Sequence, residues 1–194
     1  MLAGRGGWLE ETKLVAHCLL VESGDRLVLV DTGFGTGDAT NPNRLGRPFR
    51  ALVRPICSEE ETALRQVQAL GFDPKDVTDV VVTHLDLDHA GGLGDFPRAR
   101  VHVHAPELEA ALHPSLRDRT RYIKAQWAHG PDWQTHSVEG DEWMGFESVR
   151  LLEDLDAEIA LVPLLGHTRG HSGVAINAGE DWLLHCGDAF FHHG

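Results

Sequence analysis

Residues 83–92 read Thr83-His84-Leu85-Asp86-Leu87-Asp88-His89-Ala90-Gly91-Gly92, which puts four candidate metal ligands into six consecutive positions, 84 to 89. Leucines fill the two gaps, so the apolar side chains anchor the loop while His84, Asp86, Asp88 and His89 point the other way. Imidazole and carboxylate donors together suit zinc, iron or manganese. Gly91-Gly92 lets the backbone turn away at once. The residues just before are β-branched and apolar (Val80-Val81-Val82), which predicts a buried strand over 77–83 feeding this loop. Loops at strand ends are where layered α/β folds collect their site residues.

Two further segments share this placement. Gly166-His167-Thr168-Arg169-Gly170-His171 follows the apolar run ALVPLL, and His185-Cys186-Gly187-Asp188 closes the run WLL. Histidines between glycines after a strand are candidate ligands. A carboxylate at Asp188 can bridge two cations, which offsets the cost of burying it.

Taken together, these residues resemble the metallo-β-lactamase superfamily. That family carries His-x-His-x-Asp-His, then a distant histidine, then an aspartate. Here the series is His84, Asp86, Asp88, His89, His167 and Asp188, with 21 residues from His167 to Asp188 (188 − 167). Val30-Asp31-Thr32-Gly33 resembles the family's early Asp-Thr-Gly turn, and GFDPKDVTDVVVTH its lead-in to the metal loop. The resemblance implies an α+β fold, the αβ/βα four-layer sandwich, lacking its last elements. It implies zinc, one or two ions, with iron or manganese as alternatives. His84 and His167 would hold the first ion, Asp88 and His89 the second, with Asp188 bridging. Asp86 is a further candidate ligand, Asp31 fixes ligand geometry by hydrogen bonding, and His171 is a supporting residue. The implied chemistry is attack of a metal-activated water on an ester, lactone, thioester or related small molecule, with Asp88 assisting in proton handling.

The chain departs from the pattern at three places. Asp86 stands where the family has histidine; a carboxylate at that slot also occurs in the flavodiiron branch. The family's last histidine ligand lies beyond the bridging aspartate, whereas this sequence ends six residues after Asp188, at His192-His193-Gly194. Lactonases of the family carry a tyrosine shortly after that aspartate, and here Phe191 takes its place. A C-terminally incomplete chain is therefore expected. A di-iron redox protein and a non-catalytic metal-binding or sensor module stay open as alternatives.

Composition narrows the classes. The chain has 194 residues, of which 30 are acidic and 17 basic, for a net charge of −13. That balance opposes a nucleic-acid footprint and attraction to anionic membranes. The longest apolar runs are strand-sized, so no membrane span is expected. Three widely spaced cysteines and the absence of a visible signal peptide point to the cytoplasm. One domain over 1–194 is expected, with no repeat or linker.

Strands are expected at 15–22 and 26–31, around the turn Ser23-Gly24-Asp25, and at 77–83, 100–104, 148–152, 158–163, 173–177 and 181–186. Helices are expected at 59–70, capped by Ser58, and from Pro106 to about residue 112. The stretch up to residue 58 reads as a long loop or flap. Residues 113–145 show no clear period. Their tryptophans, Trp127, Trp133 and Trp143, are equally suited to a cleft lining or to ordinary packing, and the pattern favours two strand sets covered by helices over a doubly wound parallel sheet.

Overall fold

The structure is a computed structural model and describes residues 14–138, 140–152, 155–177 and 179–190. The chain first builds a mixed sheet from β1 (Leu19–Ser23), β2 (Arg26–Val30), β3 (Val77–Val81), β4 (Arg100–His104) and β5 (Asp132–His136), in that spatial order. β1 and β2 form a hairpin, and the remaining neighbours pair in parallel. Gly24 makes the hairpin turn possible, because its φ of 62° is one that other residues adopt only at a cost. A second sheet is antiparallel throughout and runs β10-β9-β8-β7-β6. Its strands are β6 (Asp141–Trp143), β7 (Phe146–Leu151), β8 (Ile159–Pro163), β9 (Ser172–Asn177) and β10 (Trp182–His185).

Strand alternation explains how the two sheets meet. Val28, Val30 and Val81 point from the first sheet onto Leu151, Ile159, Leu161, Val174 and Ile176 of the second. The alternate residues Leu27, Leu29, Val80, Val82, Val101 and Val103 face the other way. They are covered by α3 (Ala63–Ala69) through Ala63 and Val67, and by α4 (Ala105–Leu112) through Leu108 and Ala111. A strand apolar on both faces belongs in the middle of such a stack, and β3 is that strand. Each fully buried branched side chain here contributes about 2 kcal/mol. On the far face of the second sheet, Trp143, Leu164 and Trp182 pack on Ala160, Val162 and Ala175.

Several expectations are corrected. The expected flap up to residue 58 contains helices α1 (Thr36–Thr40) and α2 (Arg47–Val53), with a 3-10 turn at Pro42–Leu45 between them. α2 buries none of its residues, so it has no apolar period to read. Ser58 is not the cap of α3: its hydroxyl bonds Glu60, a 3-10 turn spans Glu59–Glu61, and Thr62 Oγ1 caps the helix by accepting from Arg65 N. β5 lies inside the stretch 113–145. It is a half-exposed polar strand (DWQTH), so it lacks a hydrophobic signature. The tryptophans pack rather than line a cleft: Trp127 and Trp133 join the core under α4, and Trp143 meets Trp182 at 5.7 Å. No helix among the described residues is long and apolar enough to cross a membrane.

Candidate metal centre

The site sits where β2, β3, the β8–β9 turn and β10 all end. Asp31 follows β2 directly, buried, with a φ of 55° that an aspartate adopts only when its surroundings hold it there. Those surroundings are visible in its bonds. Oδ1 accepts from Thr83 N at 2.8 Å, and Oδ2 accepts from Thr83 Oγ1 and His89 Nδ1, both at 2.8 Å, with His185 Nε2 at 3.3 Å. Burial alone raises such a carboxyl. The His89 charge and the hydrogen bonds from His185 and His89 outweigh burial and hold Asp31 well below the usual carboxylate range.

This network sets which ring nitrogens face the centre. Thr83 Oγ1 has one hydrogen and gives it to Asp31, so at 2.9 Å from His84 Nδ1 it can only accept. His84 therefore donates from Nδ1, which leaves its Nε2 lone pair facing inward. That Nε2 is buried with no hydrogen-bond partner. His89 likewise donates from Nδ1 to Asp31 and presents Nε2 to Asp188 Oδ1 at 3.2 Å. Burial lowers the basicity of His89, but the Asp31 charge and the bonds to Asp188 and Asp31 prevail and raise it well above the ordinary histidine value.

Asp188 stands between two histidines, its Oδ2 lying 3.3 Å from His167 Nε2. Burial raises its carboxyl; the His89 bond and the charges of His89, His84 and His167 bring it below its ordinary value. Asp86 Oδ2 is 3.0 Å from His167 Nε2 and 3.5 Å from His84 Nε2. Donor atoms of His84, Asp86 and His167 lie within 4.8 Å of one another, as do those of His84, His89 and Asp188. We call these the first and second triads. An orphaned imidazole nitrogen aimed among carboxylates and further imidazoles is a donor set that fits a divalent transition metal.

Of the residues singled out from sequence, His84, Asp86, His89, His167 and Asp188 converge, with Asp31 behind them. Asp88, expected as a ligand of the second ion, falls outside both triads. Burial and the nearby charges of Asp86 and Asp188 raise its carboxyl above the ordinary value, against the pull of His89. His171 has both nitrogens engaged, with Nδ1 donating to Leu164 O at 2.9 Å and Nε2 accepting from Asp188 N at 3.0 Å. Burial first, then the His84 charge, lowers it to about 4, which suits a neutral ring that positions the Asp188 backbone. Phe191, His192 and His193 lie outside the described residues.

Two residues escaped the reading of the sequence. Glu107, buried in the first turn of α4, accepts from Leu85 N, Thr168 Oγ1, Gly170 N and Tyr122 OH. It thus clamps the loop carrying His84 to the loop carrying His167. Arg121 forks onto Asp86, with Nε to Oδ1 at 2.9 Å and Nη2 to Oδ2 at 2.6 Å. Nothing local marks either residue, since the partners lie far along the chain.

The family model described as the metallo-beta-lactamase superfamily matches residues 12–194. A probable metallo-hydrolase of Mycobacterium tuberculosis is 52% identical over 182 residues, 93% of this chain and 58% of the relative. An N-acyl homoserine lactonase of Azorhizobium caulinodans is 31% identical over 149 residues, 76% of this chain and 54% of the relative. A solved N-acyl homoserine lactone hydrolase, with the product N-hexanoyl-L-homoserine at its catalytic metal centre, superposes with a TM-score of 0.61. It is 25% identical and covers 87% of this chain and 62% of its own. The chain spans little more than half the length of these relatives, 58% for the mycobacterial one. Its matched span and its shared fold agree: this chain belongs to the metallo-β-lactamase superfamily.

Proposed function

We propose that the protein is a metal-dependent hydrolase of a small lactone or ester, with His84, Asp86, His89, His167 and Asp188 as its metal-holding residues. The observation that carries this reading is the buried Nε2 of His84, which has no hydrogen-bond partner and belongs to both triads. A divalent ion held there supplies Lewis acidity, which activates water near neutral pH and polarises a carbonyl oxygen. The rest falls to the chain's own groups. Asp31 and Thr83 accept the Nδ1 hydrogens of His89 and His84, so that both rings turn Nε2 toward the site. His171 holds the Asp188 backbone in place. Asp88, with its carboxyl raised by burial, takes up and returns the proton of the reaction at a carboxylate oxygen.

The lactone or ester class is supported by the N-acyl homoserine lactonases among the relatives. Zinc is our first choice of metal, because imidazole and carboxylate donors in a compact site suit it. The three free cysteines, Cys18, Cys57 and Cys186, support a reducing, cytoplasmic setting.

The test is metal quantification on protein purified without chelator, followed by turnover on a panel of lactones and esters. We expect at least one tightly held zinc, and loss of metal and turnover together in His84→Ala. Purified protein that retains no transition metal, and takes up none on dialysis against zinc, would overturn the reading.

A further inference from the structure

Asp86 puts a negative charge where its family has a neutral histidine, and the structure shows what answers that charge. Arg121 holds both Asp86 oxygens, and Nη2 also lies 2.9 Å from His167 Nε2. Its Nη1 donates to the His167 carbonyl oxygen at 2.8 Å. One nitrogen of Arg121 therefore contacts two of the three donor atoms of the first triad, Asp86 Oδ2 and His167 Nε2. The third, His84 Nε2, has no hydrogen-bond partner and lies 3.5 Å from Asp86 Oδ2.

We propose that Arg121 is a tethered cation that occupies the first triad and must leave before a metal ion enters it. Loading is then stepwise. One ion settles against His84, His89 and Asp188, which Arg121 does not contact through these bonds; the other is left Asp86 and His167, because the single lone pair of His84 Nε2 serves one ion at a time. A second ion is taken up only by displacing the guanidinium from Asp86. The move is open to Arg121, because its side chain is 29% exposed and it sits in the turns between α4 and β5 rather than in a helix or strand. The inference rests on the metal-site reading above and goes beyond it, to the order and strength of loading.

The test is calorimetric titration of zinc alone into chelator-stripped protein, wild type against Arg121→Gln. We expect the wild type to bind one zinc tightly and a second more weakly. Arg121→Gln tightens the second step ~10-fold or more and leaves the first unchanged, because the binding-competent form is no longer the minor one. Thermal unfolding gives a second readout. The variant melts lower than wild type when stripped of metal, and the gap closes at saturating zinc, where Arg121 has already left. Asp86→His, which removes the anchor from the other side, tightens the second step as well and serves if Arg121→Gln does not fold. Identical second steps in wild type and both variants, or a weaker one in Arg121→Gln, would overturn the proposal while sparing the metal site. No zinc uptake by any of them overturns both.

Discussion

Glu107 Oε1 accepts the backbone N–H of Leu85 at 2.9 Å, so a helix residue with no metal-binding role holds the loop that carries His84 and Asp86. Its other oxygen takes Thr168 Oγ1 at 2.6 Å and Gly170 N at 3.0 Å from the loop that carries His167. Removing this carboxylate strands several buried donors at once. Glu107→Ala is expected to cost about 3 kcal/mol or more in urea denaturation. Glu107→Gln, which keeps the volume and one acceptor oxygen, should cost clearly less. A loss under about 1 kcal/mol in Glu107→Ala would mean that the two loops are held independently.

Gly170 reports on the same contact from the other side. A Cβ there would lie 2.2 Å from Glu107 N and 2.6 Å from its Cα, and both atoms are backbone. Gly170→Ala is expected to destabilise by about 2–3 kcal/mol, seen as a fall in the melting temperature. Gly130→Ala is the control. It has open space around the new Cβ but a φ of 73°, so it should cost only about 1 kcal/mol.

Asp31 acts on the site through the rings of His89 and His185 and through Thr83. Asp31→Asn keeps the shape but offers an amide where acceptors are needed. Zinc affinity, measured by competition with a chromophoric chelator, is expected to fall ~10- to 100-fold. An unchanged affinity would remove Asp31 from the supporting network.

The pH dependence of stability should show two regimes. Burial, then the charges of His102 and His104, push His136 down to about 4 from the ordinary 6.5. Between those values the unfolded chain binds the proton and the folded chain does not, so stability falls as pH drops from 6.5 to about 4. Asp31, Asp79 and Asp86 act in the same sense at lower pH, since their folded carboxyls lie below the ordinary 3.8. Their stabilisation is intact above that value and is lost as pH falls below it. Urea midpoints taken across this range should show His136→Gln reducing the slope above pH 4, with the share of His171, likewise lowered to about 4, and the steeper acid loss left in place. An unaltered slope above pH 4 would show that His136 does not set it.

The candidate metal loop was legible because its information is local. His84, Asp86, Asp88 and His89 lie within six positions after a strand whose β-branched residues announce burial on both faces. Strands β2, β3, β4, β8 and β10 were readable for the same reason, as short apolar runs. Helices α1 and α2 and strand β5 were not, because their residues are half-exposed and carry neither a helical nor an alternating period. The cap of α3 moved from Ser58 to Thr62 because Ser58 and Glu60 satisfy each other first.

Sequence by itself determined the donor types, their three strand-end loops and the layered α+β fold, since each depends on residue chemistry and on neighbours a few positions apart. Only the tertiary structure decided what answers those donors. Arg121 reaches Asp86 across 35 positions, Glu107 joins two loops 22 and 63 positions away, and Asp31 orients His89 across 58. A buried charge must find its counter-charge or its hydrogen bonds wherever the fold brings them, and no spacing along the chain encodes that meeting.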